Sequence, residues 1–221
     1  MGILPFSEGH DRMEGLIQNI PLEYKNIGIK ISGGADSAIV CYALAKYIFD
    51  NNNHHRIVPI TVNHSGKSYQ LEFAKRVVEF CKEQFGNIFL EHQYAWCETG
   101  DEYVSTQDNL VNSLYRNNEI QCHFVGITQN PPADVMDTIG WNGPADDRSP
   151  RIIRPVCKGT GFYPLINTNK QGVCDWYKFY DVLDDLFPLT RSCENFTENF
   201  ETHCGECWFC KERYWGFGRY E

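Results

Sequence analysis

Short apolar runs alternate along this chain with segments whose apolar positions recur every three or four residues. Residues 27–31, "IGIKI", read as a short buried strand. From Asp36 to Asp50, Cys41, Leu44, Ala45 and Ile48 keep helical spacing, and "NNNHH" at 51–55 ends that helix. "RIVPITV", 56–62, is a second strand, against which Pro59 counts because it removes a ladder donor. Leu71, Ala74, Val78, Cys81 and Phe85 mark one face of a second helix. "NIFLEHQY", 87–94, reads as a third strand, residues 103–116 as a third helix, and "CHFVGIT", 122–128, as a fourth strand. This alternation predicts an α/β fold, a parallel sheet with helices on both faces.

Residues 129–172 break the pattern. They are rich in Pro, Gly and Asp and show little periodicity. An irregular stretch of that length inside a domain is commonly functional, with partial disorder as the alternative. Residues 174–187 read as a helix with Trp176, Phe179, Tyr180, Leu183 and Leu186 or Phe187 on one side. The expected organisation is one domain over 1–187, with 129–172 as its substrate loop, and a C-terminal segment over 188–221.

The chemistry starts at the first strand-to-helix junction. Ser32, Gly33, Gly34, Asp36 and Ser37 lie where a parallel sheet binds ligands, beyond the carboxyl end of a strand. Glycine lets backbone N–H groups approach an anion, and a helix N-terminus adds positive potential. Asp36 beside phosphate calls for a bridging Mg²⁺ or a capping role. The stretch is neither a Walker A loop nor a G-x-G-x-x-G turn.

Charge and cysteine content narrow the classes. A net charge of −9 speaks against a general nucleic-acid surface. No stretch approaches a membrane span, and "MGILPFSEGHDR" lacks the apolar core of a secretory signal, so a cytoplasmic protein is expected. Of 10 cysteines, Cys41, Cys81, Cys97, Cys122, Cys157 and Cys174 lie singly, as small hydrophobes do. Cys193, Cys204, Cys207 and Cys210 crowd the C-terminus with C-x10-C-x2-C-x2-C spacing. Four thiolates of this kind close a structural tetrahedral Zn²⁺ site, and an iron–sulfur cluster is the rival.

The hexapeptide Ser32-Gly33-Gly34-Ala35-Asp36-Ser37 resembles the PP-loop of N-type ATP pyrophosphatases. Such enzymes adenylate a carbonyl or carboxylate oxygen and displace AMP with a nucleophile. Together with "CGECWFC", Cys193 and Arg213, it resembles the 7-cyano-7-deazaguanine synthase family of the queuosine pathway. "YPL" at 163–165 followed by Lys170, and "LTRSCE" at 189–194, resemble further family segments. The resemblance implies that ATP with Mg²⁺ activates 7-carboxy-7-deazaguanine and that ammonia displaces AMP, giving the amide and then the nitrile.

Carried over residue by residue, it implies an ATP site from Ile31, Ser32, Gly33, Gly34, Ala35, Asp36, Ser37 and Ala38. Thr61, Val62 and Asn63 at the end of the second strand would wall the adenine, with Gly126 matching after the fourth. Asp36, Ser37 and Lys170 are the implied catalytic set. The middle departs, because the family's Tyr-Ser-Gly-Tyr-Pro core is absent from "GITQNPPADVMDTIGWNGPADDR". Asp134 or Asp137 are the candidates for reading a guanine-like edge, Trp141 for stacking, and Arg154 and Arg191 for substrate contacts. Solvated loop charge is the plain alternative for Asp134, Asp137, Arg154 and Lys170. A related ligase acting on another carboxylate or on a protein stays open, as does a non-catalytic zinc-stabilised nucleotide-binding module. Partners are small molecules, and a homodimer is a candidate assembly.

Overall fold

The strand β1 (Asn26–Lys30) turns its side chains alternately to two unlike environments. Ile27 and Ile29 enter the main core, whereas Gly28 and Lys30 face the opposite side of the sheet. The computed structural model describes residues 13, 15–140, 157, 158 and 160–221. Further strands are β2 (Arg56–His64), β3 (Gln93–Cys97), β4 (Cys122–Val125), β5 (Cys157–Lys158) and β6 (Gly161–Phe162). Their order in the sheet is β3-β2-β1-β4-β6-β5, parallel except for the short edge strand β5.

The described helices are α1 (Ala35–Asp50), α2 (Gln70–Phe85), α3 (Tyr103–Arg116), α4 (Ala133–Ile139), α5 (Lys170–Phe179) and α6 (Trp208–Phe217). One face of the sheet packs on α1, α2 and α5 through a large core that includes Ile29, Val40, Val77 and Trp176. The other packs on α3 through Val58, Ile60, Val111, Leu114 and Ile120. The chain is therefore an α/β fold with helices on both faces, as its alternation predicts. Among the described residues no helix is long and apolar enough to cross a membrane.

Three elements differ from the sequence reading. The third strand begins at Gln93 rather than at 87, and only an isolated bridge joins Phe89 to Ile57 before it. Between that bridge and the Ile60–Gln93 pair, four steps on one chain oppose three on the other. Pro59 falls in this irregular interval, so its missing N–H interrupts no regular ladder there. The last long helix splits: α5 runs Lys170–Phe179, and the chain turns through Asp181 at φ 55° into a short 3-10 turn, Phe187–Leu189. Trp176 and Tyr177 are buried, while Phe179, expected on the inner face, is 47% exposed. Finally, the stretch read as irregular contains α4, β5 and β6.

The order of the strands fixes where a ligand can sit. β2 and β3 extend the sheet to one side of β1, and β4 lies on the other. The reversal opens a crevice at the carboxyl ends of β1 and β4.

Candidate nucleotide pocket and cysteine cluster

At that crevice the chain leaves β1 through Ser32, Gly33 and Gly34 and enters α1. Gly33 takes φ +78°, and a Cβ there would lie 2.6 Å from the Cβ of Phe73, so α2 leaves no room for a side chain. Gly126, just after β4, is held equally tightly: a Cβ would meet the backbone N and Cα of Ser37 at 2.7 Å. The two glycines let two strands and two helices converge on the loop. Ser37 Oγ donates to Gly34 O at 3.1 Å and accepts from Ser32 N–H at 3.2 Å, which fixes the turn. Gly34 caps α1 without a side chain, so the first-turn N–H groups have no side-chain cap. An anion can take that place.

A pocket of about 200 Å³ opens above this turn. Ser32, Gly34, Ala35 and Asp36 form its floor. Lys170, at the start of α5, forms an ion pair with Asp36, and both side chains are mostly buried. The other oxygen, Asp36 Oδ1, is buried without a hydrogen-bond partner among the described residues. Lys170 and Asp36 lie 134 positions apart; α6 packs closely on Lys170 at Gly216, and Tyr177 Oη of α5 donates to Ala35 O at 2.9 Å, which ties α5 to the start of α1.

The remaining walls come from α2 and from the C-terminal segment: Tyr69, Gln70, Arg191, Ser192, Glu194, Phe209 and Glu212. Tyr69, Gln70 and Glu212 belong to no motif in the sequence, and the fold alone brings them to the loop; Arg191, Ser192 and Glu194 lie in "LTRSCE" and Phe209 in "CGECWFC". Arg191, expected at the substrate, is 3% exposed, and its terminal nitrogens donate to loop groups. Nη1 reaches Phe200 O and, at 2.6 Å, Thr202 O; Nη2 reaches Asn195 O at 2.7 Å and Thr197 Oγ1 at 3.1 Å. Its own N–H donates to Gly33 O at 2.9 Å. Arg191 thus ties the cysteine loop to the glycine turn.

Other expected site residues lie apart from this pocket. Ile31, Thr61, Val62 and Asn63 are buried at the ends of β1 and β2 and do not line it. Thr61 Oγ1 donates to Ile31 O at 2.7 Å and meets His92 Nε2 at 2.9 Å. Burial lowers the His92 pKa to about 4, so this imidazole is neutral near pH 7 and Nε2–H donates to the hydroxyl. Asp134 and Asp137 sit exposed on α4. Trp141 and Arg154 lie outside the described residues.

The cysteine cluster borders the pocket directly, since Cys193 lies between Ser192 and Glu194. The sulfurs of Cys193, Cys204, Cys207 and Cys210 all lie within 4.8 Å of one another, with Cys204 and Cys210 at 3.8 Å. Backbone N–H of Cys204 donates to Cys193 Sγ at 3.5 Å, and that of Cys207 to Cys204 Sγ at 3.3 Å. A hydrogen bond with Cys210 pulls the Cys207 thiol down to about 4 and pushes the Cys210 thiol up. Four sulfurs so close suit one metal ion. Arg213 braces the cluster from within the core: it donates to Thr190 Oγ1 at 3.0 Å, Ser192 Oγ at 3.1 Å, Phe187 O at 3.0 Å and Tyr220 O at 2.7 Å.

No known protein-family profile matches the chain, and no curated protein does. Solved structures similar to it include U34-tRNA thiolase NcsA from Methanococcus maripaludis with its [4Fe-4S] cluster, at 16% identity and TM-score 0.48. That match covers 80% of this chain, which spans 63% of the thiolase chain. NAD+ synthetase from Burkholderia pseudomallei is similar at 9% identity and TM-score 0.43, covering 98% of this chain and 85% of that one. Both TM-scores fall below 0.5, so the chemistry rests on the residues of this chain.

Proposed function

We propose that this protein is an ATP-dependent carbon–nitrogen ligase of the PP-loop class. It adenylates a carboxylate and displaces AMP with ammonia. The observation that carries this reading is the Ser32-Gly33-Gly34-Ala35-Asp36-Ser37 turn at the reversal point of the sheet, with an uncapped helix start and the Asp36–Lys170 pair beside it. Backbone N–H groups and Ser32 hold phosphate oxygens. Lys170 neutralises charge on the phosphates, and Asp36, with one oxygen free of partners among the described residues, suits a Mg²⁺ ion. When bound, Mg²⁺ neutralises phosphate charge and orients the leaving pyrophosphate.

The acceptor this reading favours is 7-carboxy-7-deazaguanine, carried to the amide or the nitrile. It draws on the pairing of the loop with the four cysteines and on Lys170. Asp134 and Asp137 stay the candidates for its guanine edge. The absent Tyr-Ser-Gly-Tyr-Pro core favours a second reading, the same adenylation with another carboxylate or a protein as acceptor.

The cysteine set fits Zn²⁺. Bonds of about 2.3 Å in a tetrahedron put sulfurs about 3.8 Å apart, the separation of Cys204 and Cys210. A four-iron cluster would spread its cysteines over separate irons. With four protein ligands the ion has no open position, and its role is to hold Ser192, Glu194, Phe209 and Glu212 at the pocket.

One experiment tests the reading. The protein is incubated with ATP, Mg²⁺, ammonium and 7-carboxy-7-deazaguanine, and products are identified by mass. AMP, pyrophosphate and the amide or nitrile are expected. ADP and phosphate would overturn the PP-loop assignment, whereas AMP formed only with a different acid would move the acceptor.

A further inference from the structure

The sheet ends in two unlike edges. At one, β5 is two residues long and includes Lys158; a short edge with a lysine resists pairing with another chain. At the other, β3 runs for five residues, Gln93-Tyr94-Ala95-Trp96-Cys97, without a charge or a proline. Among the described residues β3 pairs with β2 alone, so one row of its backbone N–H and C=O groups meets no strand.

The side chains of β3 add to this. Ile60 packs with α3 and is in register with Gln93, so Gln93 and Ala95 lie on the α3 face of the sheet and Tyr94 and Trp96 on the α2 face. Tyr94 is 60% exposed and Trp96 53%, so α2 does not cover them. Two aromatic rings thus stand on one face, beside the open row of backbone groups.

Charge along the edge is lopsided. At the start of β3, burial and then Lys75 and Lys82 of α2 lower the pKa of His92, which places two cations there, with Glu79 and Glu91 as the nearby acids in the sequence. The far end is purely acidic. Glu98, Asp101 and Glu102 are exposed, and positions 98–115 contain no Lys, Arg or His. Glu102 Oε2 accepts from the N–H groups of Glu98 at 3.1 Å and Thr99 at 3.3 Å, which holds its carboxylate at the end of the strand.

We propose that β3 is a dimer interface, at which a second copy of this chain adds its own β3 antiparallel about a two-fold axis normal to the sheet at Ala95. This register pairs all five residues: Gln93 with Cys97 of the partner subunit, Tyr94 with Trp96 of the partner subunit, and Ala95 with Ala95 of the partner subunit. The axis keeps each face of the sheet on its own side. Four rings therefore meet on the α2 face as two Tyr–Trp cross-strand pairs. Each acidic strand end comes to lie beside the start of the other strand, where Lys75 and Lys82 stand, and the two acidic ends are held apart. Parallel pairing would bring those ends together. This self-complementary order of rings and charges selects a second copy over an unrelated strand, and an isologous contact closes at two chains. The interface does not rest on the ligase reading.

Sedimentation velocity over a range of micromolar concentrations tests the assembly. The wild type should form a species of twice the chain mass. Tyr94→Lys and Trp96→Lys should each raise the dissociation constant at least about thirtyfold, the loss expected for an aromatic anchor at the centre of an interface. Both side chains are exposed, so circular dichroism should show each variant folded. Amide hydrogen exchange locates the contact. Exchange of residues 93–97 should slow as the wild type is concentrated, and should not in Trp96→Lys. Where a lysine costs the fold, the concentration dependence of exchange in the wild type alone decides. A monomeric wild type overturns the interface. So does a dimer that both variants leave intact, or one that forms without slowing exchange at 93–97.

Discussion

The glycine turn and the cysteine segment face each other across one pocket, yet their shapes are held by different means. The turn is a product of packing. Gly33 and Gly126 sit where any Cβ would collide with α2 or α1, and the sheet behind them is buried on both faces. The cysteine segment has little core of its own. Cys193 and Cys210 are buried, but the chain between them is gathered around two buried guanidinium groups and four converging thiols. The first region is preorganised by sterics; the second depends on charge, hydrogen bonds and a metal. Because the second supplies half of the pocket wall, weakness there reaches the chemistry.

Attacking the turn at its charged centre should give the largest effect. Asp36→Ala is expected to lower AMP formation by at least about a hundredfold, the scale seen when preorganised charge stabilisation is removed. Circular dichroism should show the fold retained, since Asp36 lines the pocket and takes no part in the apolar core. Retention of full activity would remove Asp36 from the mechanism.

Attacking the metal site should rank next and tests the dependence of one region on the other. Zinc should be found at one ion per chain. Its removal by a chelator, or Cys207→Ser, should lower stability and also weaken binding of an ATP analogue, measured by calorimetry. Cys193 lies between two pocket residues, Ser192 and Glu194, so loss of the metal reaches the nucleotide site. Unaltered nucleotide affinity in the metal-free protein would separate the two regions.

Arg213→Met removes the internal brace without touching a thiol. It leaves the carbonyls of Phe187 and Tyr220 short of a donor and should cost about 2–4 kcal/mol of stability in urea titration. Gly126→Ala probes the turn in the same currency. Its new methyl meets backbone rather than a movable side chain, so about 1–3 kcal/mol is expected, with a matching loss of ATP affinity.

The smallest effect is graded with pH. Burial lowers the pKa of His92 and of His123 to about 4, and burial with Arg213 and Arg191 nearby lowers that of His203 to about 3. As pH falls below 6.5, the unfolded chain takes up protons that these three imidazoles refuse in the folded state. Their contribution is therefore complete above that pH and is lost as pH falls toward 4. The urea midpoint should drop across this window, and less steeply in His92→Asn, whose site lies beneath the turn through Thr61.

Local pattern was enough for much of this protein. The hydrophobic periods of residues 27–31, 56–62 and 122–128 and of the helices between them depend on neighbours in the chain, and they specified a parallel α/β fold. The glycine turn and the C-x2-C-x2-C spacing are likewise short-range, since a backbone turn and a metal knuckle are formed within a few residues. What the tertiary structure decided is everything that requires distant segments to meet. It set Lys170 on Asp36 across 134 positions, and made Arg191, which also lines the pocket, a tie between two loops. It also brought Gln70 and Glu212 to one pocket. Single polar residues on different helices carry no periodicity, so their convergence is fixed only by how closely those helices pack, as Gly216 against Lys170 shows.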